Sequence, residues 1–193
     1  MKAWLSVPNV LTVARIVLAP VFLWRYLKGD EDGALLTFAV AAATDALDGL
    51  AARLLRQQTR VGAFLDAAAD KLLAACALIA LSVMDQVPWW LTGVVVGRDV
   101  MLAAGSAFLI AHRAPLPVRP TRVGKYATAL VFFIVVLVLV VDFHGTPAAR
   151  SAPWVAALGI LAVVLVAVSA VQYALSFAVS LRLGRRAPDA AGR

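Results

Sequence analysis

The sequence contains a single cysteine, Cys76, and only two histidines. One cysteine excludes an internal disulfide, a CxxC redox pair and a zinc site built from several thiolates. Charged residues are also scarce, at 15% of the chain, whereas 63% of the residues are hydrophobic. Such a chain has too little polar surface for an ordinary soluble domain, so the composition predicts an integral membrane protein.

The apolar residues fall into six stretches, each close to the roughly 20 residues that a helix needs to cross a bilayer. The alternating pattern of a membrane β-barrel is absent, and helices satisfy their own backbone hydrogen bonds in lipid. The sequence therefore predicts an all-α integral membrane protein with six transmembrane helices. A single six-helix transmembrane domain is expected over residues 1–183 and a disordered cytoplasmic tail over residues 184–193. The predicted helices are approximately 8–27, 33–55, 64–84, 89–112, 126–143 and 153–181.

Lysine and arginine are distributed unevenly between the two sides of these helices. They concentrate at the amino terminus, after the second and fourth helices and in the tail, whereas the opposing loops are richer in acidic residues. Because cytoplasmic loops hold an excess of basic residues, both termini and the basic connections after the second and fourth helices are predicted to face the cytoplasm, in a bacterial inner membrane. The net charge of +7 comes from these basic residues in the predicted loops and tail. No nucleic-acid motif accompanies it, and membrane lipids rather than nucleic acid are the expected partners.

Four aspartates interrupt this apolar sequence in two pairs. Asp45 and Asp48 are three residues apart and Asp66 and Asp70 four apart, so each pair lies on one face of its helix. An antiparallel helical hairpin would bring the pairs together, and carboxylates that close repel each other unless cations lie between them. Oxygen ligands favour hard ions, so the pattern predicts Mg²⁺ or Mn²⁺. Two ions are expected, because a pair of metal ions suits phosphoryl-type displacement.

Two glycines accompany the aspartates. Glycine inside a helix costs about 1 kcal/mol relative to alanine, so Gly49 and Gly62 indicate space for a ligand, with helix packing through small residues as the alternative. The carboxylates could also line a cation pathway, and a divalent-cation transporter is therefore an alternative function. It predicts carboxylates spread through the membrane and inverted repeats, and neither is evident in the sequence.

The segment from Asp45 to Asp70 resembles the signature of the CDP-alcohol phosphatidyltransferase family. It reads Asp-x-x-Asp-Gly-x-x-Ala-Arg, eight further residues, and Gly-x-x-x-Asp-x-x-x-Asp, with every defining position intact. A relative without activity would show a broken motif. The resemblance extends over essentially the whole chain, since the family also has six transmembrane helices and an amino-terminal Pro-Asn-x-x-Thr-x-x-Arg, here Pro8 to Arg15.

This resemblance implies the family's fold, a homodimer and its chemistry, which is transfer of a phosphatidyl group from CDP-diacylglycerol to a hydroxyl with release of CMP. By the same resemblance Asp70 would act as general base, and divalent metal would be held by the aspartates. The implied metal ligands are Asp45, Asp48, Asp66 and Asp70, and the implied CDP-lipid ligands are Asn9, Thr12, Arg15, Gly49, Arg53 and Gly62.

A separate basic group suggests where an anionic, glycerol-based acceptor binds. Arg98 lies within an apolar helix beside Asp99, and adjacent helical residues do not face each other, which argues against a simple ion pair between them. Within the family, Arg-Asp here resembles the cardiolipin synthase pattern more than the Arg-Glu of phosphatidylglycerophosphate synthases. This favours phosphatidylglycerol as acceptor, with glycerol 3-phosphate as the alternative. The predicted acceptor ligands are Arg98, Arg113, Arg119, Arg122 and Lys125.

Overall fold

The computed structural model is helical nearly throughout the residues it describes, which are 7–54, 60–111, 121–143 and 152–190. Side chains are described for residues 10–45, 62, 65–109, 111, 121–143 and 152–179. The helices are α1 (Val7–Leu27), α2 (Glu31–Leu54), α3 (Arg60–Val83), α4 (Trp89–Ala111), α5 (Arg122–Phe143) and α6 (Pro153–Ala190). The all-α prediction is confirmed, with one helix for each predicted apolar stretch.

Three helices extend about four residues or more beyond the apolar stretches that predicted them. Helix α3 begins at Arg60 rather than near residue 64, and α5 at Arg122 rather than near residue 126. Helix α6 continues to Ala190, so residues 184–190 are helical and differ from the disordered tail that composition predicted. Leucine, alanine and arginine are strong helix formers, and an existing helix gains a hydrogen bond with each residue added.

Within the part of the chain that the structure describes, four helices are long and apolar enough to cross a membrane. The candidate spans are Val10–Leu27, Trp89–Leu109, Arg122–Phe143 and Pro153–Val179. The described parts of α2 and α3 contain no candidate span, and both helices carry charged residues of the motif. The four apolar helices indicate a membrane protein, and membrane crossing by α2 and α3 stays a prediction.

The described helices belong to two compact units. The first contains residues 1–88 and 135–152, and the second contains residues 89–134 and 153–193. In the first unit α1 packs against both α2 and α3. The buried surfaces of these three helices are rich in alanine, which allows close approach of their backbones.

The connection between α1 and α2 is a tight turn fixed by its own residues. Gly29 has a φ of +78°, a conformation that costs glycine little, and it ends α1. Asp30 then accepts a hydrogen bond from the Gly33 backbone N–H at 3.0 Å, which caps the first turn of α2.

A polar cluster within the first unit, formed by Tyr26, Gln86 and Asp142, joins the end of α5 to α1 and to the turn after α3. The Tyr26 hydroxyl donates to Asp142 Oδ2 at 2.5 Å, and Gln86 Nε2 donates to Asp142 Oδ1 at 2.8 Å. Both carboxylate oxygens of Asp142 are therefore satisfied by groups from α1 and from the turn after α3.

Candidate functional site

Three of the predicted metal ligands converge in the first unit. Asp45 on α2 and Asp66 and Asp70 on α3 each offer a carboxylate oxygen, and these oxygens lie within 4.8 Å of one another. Their side chains are between 40% and 48% exposed. The cluster is thus held by two helices and remains open to a ligand.

Arg15 on α1 lies at the centre of these carboxylates. Its Nη1 atom is 3.0 Å from Asp45 Oδ1, 3.0 Å from Asp66 Oδ1 and 2.5 Å from Asp70 Oδ1. The Arg15 side chain is 0% exposed, so the ion pairs form beneath the surface. One buried cation therefore joins α1, α2 and α3 at a single point.

The convergence fits a divalent cation. Three carboxylate oxygens from two helices surround one positively charged nitrogen of Arg15. The carboxylates therefore already stabilise a cationic group. Three carboxylates against one guanidinium still leave an excess of negative charge. An all-oxygen donor set with such an excess suits Mg²⁺ or Mn²⁺ rather than a soft metal.

The remaining predicted ligands of metal and CDP-lipid are only partly described. Thr12 is buried one turn before Arg15 on α1, and Gly62 lies in the first turn of α3, four residues before Asp66. Gly49 lies within α2. The side chains of Asn9, Asp48 and Arg53 lie outside the described residues.

Arg98 makes two side-chain contacts in the second unit. Its Nη1 pairs with Asp99 Oδ1 at 2.7 Å, and its Nη2 donates to Ser169 Oγ on α6 at 2.9 Å. The expectation that neighbouring helical residues would not pair was wrong here. The arginine side chain is long enough to fold back onto the adjacent carboxylate.

The first turn of α5 lies beside Arg98. A Cβ built on Gly124 would be 3.1 Å from Arg98 Nη2, and the Thr121 hydroxyl caps this turn by accepting from the Gly124 N–H at 3.1 Å. Arg122 and Lys125 on the same turn are exposed. Three predicted acceptor ligands therefore belong to one region of the second unit. The other two, Arg113 and Arg119, lie outside the described residues.

The sequence did not point to Ser169 as a partner of Arg98. Serines in apolar helices often bond to a carbonyl of their own helix, as Ser176 does with the Gln172 carbonyl at 2.9 Å. Nothing in the spacing of Ser169 separates it from Ser176. Only the packing of α6 against α4 distinguishes them.

Comparison with known proteins finds a family model and several relatives that match this chain. The family model described as CDP-alcohol phosphatidyltransferase matches residues 5–181. A cardiolipin synthase (CMP-forming) of Streptomyces coelicolor is 35% identical over 154 residues, which cover 77% of this chain and 71% of that protein.

Two further relatives are similar over shorter regions. A CDP-diacylglycerol--glycerol-3-phosphate 3-phosphatidyltransferase of Pseudomonas fluorescens is 41% identical over 111 residues, covering 52% of this chain and 54% of that protein. A probable cardiolipin synthase (CMP-forming) of Drosophila melanogaster is 41% identical over 126 residues, covering 65% of this chain and 38% of that protein. The chain thus matches about half or less of these two relatives.

Proposed function

The chain belongs to the CDP-alcohol phosphatidyltransferase family, and from that membership we propose that it transfers a phosphatidyl group from CDP-diacylglycerol to a glycerol-based anionic acceptor, with release of CMP. The observation that carries the proposal is the convergence of Asp45, Asp66 and Asp70 within 4.8 Å. The names of the relatives give no support to the alternative of a divalent-cation transporter.

Divalent metal fits the aspartates of the motif. Asp45, Asp66 and Asp70 would hold Mg²⁺ or Mn²⁺, with Asp48 completing a site for two ions. Bound metal would neutralise the diphosphate of the donor and the charge that develops on departing CMP. Arg15 would keep the three carboxylates together, since one guanidinium contacts them all.

The donor is proposed to bind to the first unit. Arg53 would pair with the diphosphate through charge-assisted hydrogen bonds, and Asn9 and Thr12 would supply further polar contacts. Gly49 and Gly62 would leave room for the nucleotide, because neither has a side chain to fill that space. The lipid tails would stay within the bilayer.

Asp70 is proposed as the general base. Its carboxylate is 48% exposed, so a hydroxyl can approach it from outside the cluster. It would accept the proton of the acceptor hydroxyl as the oxygen attacks the phosphorus of the donor. The contact with Arg15 would hold the carboxylate in place during this transfer.

The acceptor phosphate is proposed to bind to Arg98, Arg122 and Lys125 in the second unit, together with Arg113 and Arg119. Basic side chains and the backbone N–H groups of a helix N-terminus both favour an anion. The Arg98-Asp99 pair favours phosphatidylglycerol, which would make the protein a cardiolipin synthase. Glycerol 3-phosphate is the second candidate, supported by the name of the Pseudomonas relative.

The location follows from the same features. We propose that all six helices cross a bacterial inner membrane, with both termini and the active site in the cytoplasm. The excess of basic residues in alternate loops supports this orientation. We further propose a homodimer, as the resemblance to the family implies.

The test is CMP release by purified protein supplied with CDP-diacylglycerol and Mg²⁺. Phosphatidylglycerol and glycerol 3-phosphate are offered in parallel, and the lipid product is weighed by mass spectrometry. Asp70→Asn should lower the rate by at least about 10²-fold, because the amide cannot accept the proton. Asp32→Asn, at an exposed acid in the first turn of α2, is the matched control and should keep full activity.

Two outcomes would contradict the proposal. Full activity in Asp70→Asn would remove the assignment of the base. Absence of CMP release by the unaltered protein with either acceptor would remove the proposed reaction.

A further inference from the structure

Ser169 is a polar residue enclosed in the apolar helix α6. The residue is only 1% exposed, and its hydroxyl accepts a hydrogen bond from Arg98 on α4 at 2.9 Å. A buried hydroxyl costs free energy unless it is hydrogen-bonded, and a bond to a charged group recovers more than a bond to a neutral one. Ser169 therefore contributes a directed contact to a cation on another helix.

Two contacts define where the Arg98 guanidinium lies. Asp99 binds its Nη1 and Ser169 binds its Nη2, and because the group is planar, contacts at two nitrogens fix its plane as well as its position. Its Nε is buried without a hydrogen-bond partner among the residues that the structure describes. The guanidinium is therefore held through two of its three nitrogens.

Gly124 provides the space in which this contact forms. A Cβ at this position would lie 2.9 Å from Ser169 Oγ and 3.1 Å from Arg98 Nη2. The first distance is too short for real atoms, so a side chain would displace the serine hydroxyl or the arginine. Glycine at this point lets the first turn of α5 approach both groups.

We propose that Ser169 and Gly124 are positioning residues for recognition of the acceptor's glycerol phosphate. Ser169 orients the Arg98 guanidinium, and Gly124 keeps the space that the Arg98–Ser169 hydrogen bond occupies. Neither residue touches the substrate, and both act through Arg98. The inference rests on the proposed function, in which Arg98 binds the acceptor phosphate.

Ser169→Ala tests the hydrogen bond. The variant should raise the KM for the acceptor about tenfold, because a hydrogen bond to a charged group is lost. The KM for CDP-diacylglycerol and the kcat should change by less than about twofold, since the donor ligands lie in the first unit. Ser176→Ala is the matched control on α6, because its hydroxyl bonds only to the backbone of its own helix among the contacts described.

Gly124→Ala tests the same contact while Ser169 remains in place. It should also raise the acceptor KM. The double variant should raise this KM no further than the more severely affected single variant does, because both changes break the same contact. Gly105→Ala is the matched control, since its Cβ would meet Phe177 carbons at 3.7 and 3.8 Å, which is ordinary contact. That control should keep the acceptor KM unchanged.

Binding measurements separate this inference from the proposed reaction. Unaltered protein is titrated with glycerol 3-phosphate and, separately, with phosphatidylglycerol in detergent micelles, and each binding constant is compared with that of Ser169→Ala. Weaker binding of either probe by the variant supports the inference even if no CMP is released.

Three results would overturn the inference. The first is an acceptor KM that is unchanged in Ser169→Ala, and the second is a variant in which kcat falls and the KM values for donor and acceptor both rise. The third is equal binding of each probe by the variant and the unaltered protein, which includes the case in which neither protein binds a probe. Absence of CMP release alone would overturn only the proposed reaction.

Discussion

Arg15 is a single residue whose environment explains why a charge is tolerated deep in α1. An isolated arginine without exposure would be strongly unfavourable in an apolar helix. Here its Nη1 contacts Asp45, Asp66 and Asp70, so the cost of burial is offset by three carboxylates at once. The carboxylates depend on Arg15 in turn, because without it they would repel one another.

Arg15→Gln should therefore lower the stability of the protein in EDTA. We expect a loss of about 2 kcal/mol, less than for a fully buried pair because the carboxylates are between 40% and 48% exposed. The measurement is thermal unfolding in detergent. Added Mg²⁺ should narrow the difference, since it supplies the missing positive charge, and Arg15→Lys should recover part of it. A loss that is the same in EDTA and in Mg²⁺ would contradict this explanation.

At the scale of single residues, some arrangements can be predicted from the sequence and others cannot. The four-residue spacing of Asp66 and Asp70 places them on one face of α3 without knowledge of the fold. The contact of Arg15 with the same carboxylates could not be predicted, because it depends on how α1 crosses α2 and α3. The resemblance placed Arg15 at the diphosphate, and that role stays a prediction.

Ser169 is a second residue whose contact could not be predicted from the sequence. Its contact with Arg98 is set by the packing of α6 on α4, and local sequence does not distinguish it from a serine bonded to its own helix. Patterns within one helix are thus predictable from the chain. Contacts between helices require the three-dimensional structure.

Among the elements, α2 has the most clearly defined start. Asp30 caps its first turn through the Gly33 N–H at 3.0 Å, and its other oxygen lies 3.4 Å from Arg25 Nη1. Glu31 and Asp32 follow in the first turn, where negative charge suits the helix dipole. The position of Asp45 on α2 depends on this start, because the helix is continuous between them.

Asp30→Ala should lower the free energy of unfolding by about 1 kcal/mol, the usual cost of losing a helix cap. Asp30→Asn keeps the capping oxygen and loses only the exposed ion pair with Arg25, so it should lose less than about 0.5 kcal/mol. Chemical or thermal unfolding followed by circular dichroism measures both. Equal losses in the two variants would show that charge, and not the cap, is responsible.

Element boundaries were predicted less well than element identity. Helices α3 and α5 begin at arginines that precede the apolar residues, and α6 continues past them to Ala190. Hydropathy detects the part of a helix that faces lipid or core. It does not detect polar turns that extend the same hydrogen-bond ladder, such as the turn of α5 capped by Thr121.

For the whole molecule, the Tyr26, Gln86 and Asp142 cluster joins parts of the chain that are far apart in sequence. It links the end of α5 to α1 and to the turn after α3. Hydropathy predicted the helices that carry these residues. It could not predict the cluster, because each residue alone resembles an ordinary polar group at a helix end.

A double-mutant cycle with Tyr26→Phe and Asp142→Ala measures this link. The two changes should show a coupling of about 1 to 2 kcal/mol in the free energy of unfolding, because each removes one side of the same partly buried hydrogen bond. Tyr126→Phe is the control, since Tyr126 is 67% exposed and its change should stay within about 0.5 kcal/mol. Simple additivity of the Tyr26 and Asp142 variants would show that the cluster contributes no coupling.

The burial of Cys76 in α3 has a practical consequence for studies of motion. The chain has no other thiol, and this one is only 8% exposed in the first unit. A thiol-reactive dye can reach the sulfur only when neighbouring side chains or α3 itself move aside. The labelling rate of the unmodified protein therefore reports local opening of the helix that carries Asp66 and Asp70, and its change on addition of CDP-diacylglycerol would record how the nucleotide lipid alters that opening.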